Sequence, residues 1–242
     1  MHIVDYFLRV VRVDRTGCAT AFAGTAFPVT PDGGILTARH VVDVDLSGTG
    51  EHLAIVDEQA GVFVRLPPAV VGDDPRVDLA FLPGVMPRTP PRYFPILVPS
   101  ALEIGERVFT FGYYAFGGGL SDVDRGYFSG TVVNASAGAD PYGESTIVLP
   151  YPVIEGMSGS PVLTYHNGVK CVGLAFGNRS SRILASEILD YEASGTRVRE
   201  TVHRIVEFGV AYHADALVRF LGRACPGAFK VSCESLNVYG LT

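Results

Sequence analysis

The chain has 242 residues, 48% of them hydrophobic and 18% charged. That balance excludes a mostly disordered polymer and suffices for one large domain or two small ones sharing an interface. Its 19 basic and 25 acidic side chains leave a formal net charge of −6 with no basic run, so no nucleic-acid partner is expected. No apolar stretch is long enough to cross a bilayer, so no membrane partner is expected either.

Residues 1–14 alternate charge and bulk and read as a strand. They lack the basic, apolar and small-residue blocks of an export signal, so a cytoplasmic location with reduced thiols is expected. Cys18, Cys171, Cys225 and Cys233 form no C-x-x-C pair, which argues against a zinc cluster. Of these, only Cys225 and Cys233 have a spacing that would tempt a disulfide, and reduced thiols are the expectation there too. No metal and no organic cofactor is implied.

The 28 glycines and 16 prolines punctuate short apolar runs. Runs at 6–13, 25–29, 34–37, 53–56, 62–66 and 80–82 predict six strands. Pro83, Pro87, Pro90, Pro91, Pro95 and Pro99 come next; proline donates no ladder hydrogen bond, so this stretch reads as a semi-rigid linker. Six more runs lie at 107–111, 130–134, 146–149, 161–165, 169–176 and 204–212. Among them are two soft regions, the glycine-rich 117–126 and the charged 178–200. In the latter, Leu184, Ile188 and Tyr191 carry a weak helical spacing. Residues 215–223 read as a short helix, apolar at Leu217, Val218, Phe220 and Leu221 and ended by Gly222 and Pro226. Many short strands without strand–helix alternation predict an all-β chain, a sandwich or barrels, in two six-strand halves.

Three segments carry candidate chemistry. The first, Leu36-Thr37-Ala38-Arg39-His40-Val41-Val42, sets a histidine among apolar residues. The second, Val77-Asp78-Leu79-Ala80, sets a carboxylate in an apolar run, where it needs a partner and a histidine N–H is one option. The third, Glu155-Gly156-Met157-Ser158-Gly159-Ser160-Pro161, sets a serine between glycines that allow a tight turn and close approach of a substrate. Each alone has an ordinary structural explanation: a core histidine, a strand-end carboxylate on a backbone amide, a surface turn. Together they have the order histidine, aspartate, serine, one of the few orders found for a nucleophilic triad. Ser160 stands where G-x-S-x-G needs its last glycine, and Pro161 does not suit a following helix, which disfavours the strand–helix elbow of α/β-hydrolases.

Residues from about Gly24 to Arg223 resemble the trypsin-like serine proteases, and most of all the bacterial HtrA (Deg) type. Gly24-Thr25-Ala26-Phe27 with the His40 segment is similar to that family's G-x-A/G-F…L-T-x-x-H-V-V. Gly72-Asp73-Asp74-Pro75 with Asp78-Leu79-Ala80 is similar to its D-x-x-x-D-L-A/V, and the Ser158 segment to its G-N-S-G-G-P. Val172-Gly173-Leu174 and Gly209-Val210-Ala211-Tyr212 resemble its later strands. Met157 and Ser160 depart from the pattern at positions that supply no reacting group. The lack of an aspartate at 157 argues against zymogen activation by a freed N-terminus, and too few residues come after Arg223 for a PDZ domain.

The resemblance implies two six-stranded antiparallel β-barrels with a short C-terminal helix. The N-terminal barrel would be residues 1–97, the C-terminal barrel and helix 98–223, and a tail 224–242, free to cover a sheet edge or meet another chain. It implies a serine endopeptidase with His40 as base, Asp78 orienting it and Ser158 as nucleophile. The backbone N–H groups of Gly156 and Ser158 would form the oxyanion hole. The substrate site would comprise Pro152, Val153, Ile154 and Glu155 on one side and the strand Ala175, Phe176 and Gly177 on the other. An uncharged pocket floor near Pro152 predicts cleavage after small or medium apolar residues. Partners would be a protein or peptide substrate and, if the loops at 113–126 and 178–200 gate the cleft, an activating protein. Two rivals are a catalytically silent peptide-binding scaffold on the same fold and an esterase using the same triad.

Overall fold

The computed structural model describes residues 6–58, 60–85, 93–97, 102–117, 119–137, 141–165, 168–191 and 197–226, with backbone only for 136–137, 188–191 and 197–200. Two seven-stranded sheets make up the body, with one short C-terminal helix. The first contains β1 (Leu8–Val13), β2 (Ala19–Pro28), β3 (Ile35–Thr37), β4 (His52–Asp57), β5 (Val62–Arg65), β6 (Val70–Val71) and β7 (Ala80–Leu82), in the order β5-β4-β1-β2-β3-β7-β6. Its two outermost strands are joined by residues 66–69. Five residue steps reach at most about 18 Å, so the sheet's ends are drawn towards one another, as a barrel requires.

The second sheet contains β8 (Arg107–Ala115), β9 (Val123–Thr131), β10 (Asn134–Ala137), β11 (Thr146–Leu149), β12 (Pro161–Tyr165), β13 (Val169–Tyr191) and β14 (Arg197–His213), in the order β10-β11-β14-β13-β12-β8-β9. Here the outermost strands are consecutive in the chain. Val132 N–H donates to Glu106 O and Val133 N–H to Val148 O, each at 2.9–3.0 Å, so two adjacent residues hand the chain from β8 to β11. The pairings are antiparallel throughout, giving the expected trypsin-like double barrel. Among the described residues each half has seven strands rather than six. The extra ones are the two-residue β6, too short to stand out in sequence, and β10, which the single apolar run 130–134 conceals because that run changes partners midway.

Alternation produces the strands, and in β1 a bulge between Val10 and Val11 lets two neighbours both turn inward. The sequence LRVVRV of β1 buries Leu8, Val10, Val11 and Val13 and leaves Arg9 and Arg12 partly exposed. One large core joins Phe27, Leu36 and Phe81 of the first sheet to Leu163, Leu174 and Tyr212 of the second. The helix α2 (Ala214–Ala224) adds Leu217, Phe220 and Leu221 to this core. Each such side chain contributes about 1.5–3 kcal/mol by leaving water, so the barrels are held together by the same burial that holds each one. The helix starts at His213, whose Nδ1 accepts Asp215 N–H at 3.2 Å. It runs past Gly222, the expected stop, because Cys225 N–H still finds Leu221 O at 2.9 Å.

Three expectations need correction. The proline-rich stretch is more than a spacer: Phe94 and Ile96 are buried, Phe94 N–H bonds Pro28 O, and Cys171 N–H bonds Pro95 O. Residues 93–97 therefore strap one barrel to the other, while 86–92 and 98–101 lie outside the described residues. The glycine-rich region is shorter, since β8 and β9 pair from Arg107↔Thr131 to Ala115↔Val123. Gly126 lies inside β9, where a Cβ would fall 2.5 Å from Phe128 and 2.8 Å from Tyr114. Residues 178–191 and 197–200 are neither loop nor helix: they belong to a long hairpin arm, paired through Tyr191↔Arg197, while 192–196 lie outside the described residues. Cross-strand pairing, such as Leu184 with His203 and Arg182 with Ile205, overrides the weak i, i+4 spacing.

Cys18, Cys171 and Cys225 are free thiols, and burial pushes the Cys171 thiol up to about 12. Cys233, and most of the tail, lies outside the described residues. Among the described residues no cluster of metal-ligating side chains occurs, and no helix is long and apolar enough to cross a membrane.

Candidate active site

β3 and β7 are antiparallel neighbours with Thr37 opposite Ala80. That pairing brings Asp78, two residues ahead of β7, beside the single turn α1 (Arg39–Val42) at the exit of β3. Three contacts fasten the two. Arg39 N–H donates to Asp78 O at 3.2 Å, and His40 N–H to Asp78 Oδ1 at 2.8 Å. His40 Nδ1 lies 2.6 Å from Asp78 Oδ2. An ionised carboxylate only accepts, so Nδ1 is the donor of this bond, an arrangement that in a neutral ring leaves the Nε2 lone pair free to take a proton. The Asp78 side chain is a quarter exposed and that of His40 is half exposed.

Asp78 is also held from the second barrel. Its N–H donates to Tyr212 Oη at 2.7 Å. That hydroxyl lies 3.3 Å from Arg76 O and 3.4 Å from Tyr142 O. The Tyr212 ring stacks on Phe176 with centroids 4.2 Å apart. Burial, with the nearby Asp78 carboxylate, pushes the phenol well above its usual range, so it remains a neutral hydroxyl.

Ser158 stands on a turn between β11 and β12. Met157 N–H donates to Ile154 O and Ser160 N–H to Met157 O, both at 2.9 Å, and the Met157 side chain is fully buried beneath. Gly156 and Gly159 have φ of +88° and +87°. At Gly159 a Cβ would fall 2.0 Å from Thr25 O and 2.3 Å from Thr37 Oγ1, so only glycine fits. Thr25 of β2 grips the turn twice, its N–H on Ser158 O at 3.0 Å and its Oγ1 on Gly156 O at 2.9 Å. Gly159 N–H bonds Ala175 O at 2.8 Å. The serine turn is thus fixed by both barrels.

Among the described residues, the N–H groups of Gly156 and Ser158 donate to no protein acceptor, so both are available to an anion. The Ser158 hydroxyl donates to Phe176 O at 3.4 Å and makes no hydrogen bond to His40. Bonds of that kind often form fully only with substrate in place.

The remaining expected residues lie around this turn. Val153 is buried, Pro152 and Ile154 are half-buried, and Glu155 is exposed, with its carbonyl accepting Ala115 N–H at 3.0 Å. Ala175 is buried; Phe176 and Gly177 are half-buried, at a bulge in β13. Sequence reasoning missed Tyr212 and Asn178. The Asn178 amide accepts Val153 N–H at 2.6 Å and donates to Val153 O at 2.9 Å, clamping the segment before the serine to β13. An asparagine directly after Gly177 was the available signal. Ser160, in the place of a glycine, has a fully buried hydroxyl without a partner among the described residues. It fits because Gly112 faces it, where a Cβ would come within 2.0 Å.

Against known proteins, the family model of the trypsin-like peptidase domain matches residues 24–174. No curated protein matches the chain. Among solved structures, the active form of the Rv3671c protease from M. tuberculosis is similar with TM-score 0.57 and 20% identity, over 94% of this chain and 83% of that one. The HtrA-type protease AlgW with a tripeptide gives TM-score 0.58 and 14% identity, over 93% and 62%. AlgW with a decapeptide gives 0.59 and 16%, over 90% and 64%. The chain thus spans just under two thirds of the AlgW chains, and these likenesses speak to the fold.

Proposed function

The chain belongs to the trypsin-like peptidase family and is by that membership a serine endopeptidase; we propose that His40, Asp78 and Ser158 are its triad. Ser158 Oγ attacks the substrate carbonyl while His40 Nε2 takes the proton, and the same proton passes to the leaving amine as the acyl-enzyme forms. Water then releases the acyl group by the reverse roles. Asp78 holds the tautomer and stabilises the imidazolium. These steps are the general scheme for such triads. The N–H groups of Gly156 and Ser158 stabilise the oxyanion, an effect worth about 3–4 kcal/mol per donor. In this reading residues 1–97 supply base and orienter, and 98–223 supply nucleophile, oxyanion hole and pocket.

The observation that carries the reading is the His40–Asp78 pair, bonded through ring and backbone, beside a serine turn with two N–H groups that no protein acceptor takes among the described residues. A scaffold that only bound peptides would have no use for that combination. The pocket of Pro152, Val153, Ile154, Ala175, Phe176 and Gly177 offers no buried counter-charge, so small and medium apolar residues are preferred at the cleaved position. Incubation with a proteome-derived peptide library, read by mass spectrometry beside Ser158→Ala, tests this. Cleavage after alanine, valine or leucine, absent in the variant, is expected. Cleavage mainly after arginine or lysine would overturn the specificity, and cleavage unchanged in the variant would overturn the mechanism.

A further inference from the structure

The hairpin arm lengthens a particular edge. β13 pairs with β12 only as far as Leu174, and Ala175 closes that contact through Ser160 O and Gly159 N–H. β14 pairs with β11 only as far as Gly209. Beyond the Asn178–Gly209 pair the two strands pair only with each other among the described residues, and the side chains from Asn178 to Glu187 are exposed. A lone two-stranded ribbon is marginally stable and its outer edges present unpaired backbone groups.

The register shows which groups these are. Gly209 N–H is used on Tyr151 O, on the side away from β13. Asn178 and Gly209 are therefore a non-hydrogen-bonded pair, and the N–H and C=O of Asn178 face the outer edge. With a period of two, so do those of Ser180, Arg182 and Leu184. A bulge between Leu184 and Ser186 then breaks the series. The same edge begins beside the nucleophile, where Phe176 O lies 3.4 Å from Ser158 Oγ.

We propose that this edge is an extended substrate-binding platform: an unfolded polypeptide pairs antiparallel with β13 over the nine residues before the scissile bond. The proposal rests on the endopeptidase reading and deepens it. The first residue before the bond gives its N–H to Phe176 O. The third, fifth, seventh and ninth exchange both backbone groups with Asn178, Ser180, Arg182 and Leu184. Main-chain pairing of this kind adds affinity with little demand on sequence. Between Asn178 and Ser186, β13 carries Arg179 and Arg182 and no acid, against the single Glu207 paired with Ser180 from β14, so the strand next to the substrate favours acidic and small upstream residues over basic ones. The substrate class is a flexible, acidic segment of a longer chain, rather than a short peptide.

The test is a series of amidocoumarin substrates ending in valine, with three, five, seven, nine and twelve residues built from serine, alanine and glutamate. kcat/KM should rise in steps, about 10- to 100-fold in all, and stop rising beyond nine. N-methylation at the fifth and seventh residues should abolish the gain, and at the sixth and eighth should leave it. Replacing residues 180–207 by Asn-Gly, a turn that closes on the hydrogen-bonded pair of Arg179 with Phe208, should remove the gain while the three-residue substrate is cleaved as before. Binding of fluorescein-tagged peptides of the same lengths to Ser158→Ala, read by anisotropy, should show the same dependence. A flat length series, or a gain insensitive to which amide is methylated, would overturn the platform even in an active enzyme. So would arm-dependent dimerisation with no length effect, because a second copy would then occupy the edge. Length-dependent binding without any turnover would overturn the endopeptidase reading instead and leave the platform standing.

Discussion

His40 and Ser158 are held in opposite ways. The proposed base is fixed through its side chain: ring, backbone N–H and the carboxylate they share are locked at 2.6–2.8 Å, and Tyr212 braces the carboxylate residue from behind. The proposed nucleophile is fixed through its backbone: its carbonyl, the flanking Gly156 and Gly159 and the buried Met157 are all tied down, while its hydroxyl has one long contact to Phe176 O. Orientation therefore resides in the first barrel and its brace, whereas the serine turn keeps one torsion free to answer a substrate. Reorganising one hydroxyl costs little, whereas rebuilding a charge pair during reaction would cost much.

Removing either reacting side chain should have the largest effect. Ser158→Ala and His40→Ala should each lower kcat/KM by at least about 10⁴-fold with unchanged thermal stability. Next comes the backbone fixing of the nucleophile. Gly159→Ala places a methyl group 2.0 Å from Thr25 O at a positive φ, and should cost about 3 kcal/mol in denaturant unfolding together with most activity. The brace is third. Tyr212→Phe leaves Asp78 N–H without its acceptor, and should cost about 1–3 kcal/mol of stability and roughly tenfold in kcat, with KM little changed. A KM effect with kcat intact would instead place Tyr212 with the substrate strand through Phe176.

Two smaller effects sharpen the contrast between the site and its supports. Burial holds the His213 imidazole below its ordinary pKa, with Asp215 pulling the other way. The unfolded chain therefore takes the proton first as pH falls. The stability tied to the neutral ring is complete above the unfolded value near 6.5 and is lost progressively below it. Protonation also removes the Nδ1 acceptor that caps α2, a cap worth about 1 kcal/mol. His213→Asn should flatten this part of the Tm-versus-pH curve between about pH 7.5 and 5. Last, Ser160→Ala removes an orphaned hydroxyl and should raise stability by about 1 kcal/mol with activity retained.

The sequence was most informative where local pattern and chemistry coincide. The motif around His40, the Asp78 run and the glycine-flanked Ser158 could be read directly, and so could the short strands with clean alternation. The features that escaped reading were long-range. Tyr212 lies 134 positions from Asp78, in an apolar strand where a tyrosine looks like ordinary core. Asn178 faces Val153 across 25 positions. The arm was hidden because its exposed strands mix arginines and acids with isolated apolar residues, which in sequence resembles a charged loop. Its structure comes from pairing with a second strand that looks equally unremarkable alone. The run 130–134 failed as a single strand because a change of pairing partner leaves no mark on hydropathy.

An activated serine is tested most directly by stoichiometric labelling with a fluorophosphonate probe, mapped by peptide mass spectrometry, on wild type beside Ser158→Ala and His40→Ala. Modification at Ser158 in the wild type, absent in Ser158→Ala and slowed by orders of magnitude in His40→Ala, is the predicted result. A folded wild-type protein that stays unlabelled, or labelling of Ser158 at an equal rate without His40, would contradict an activated serine and with it the proposed mechanism.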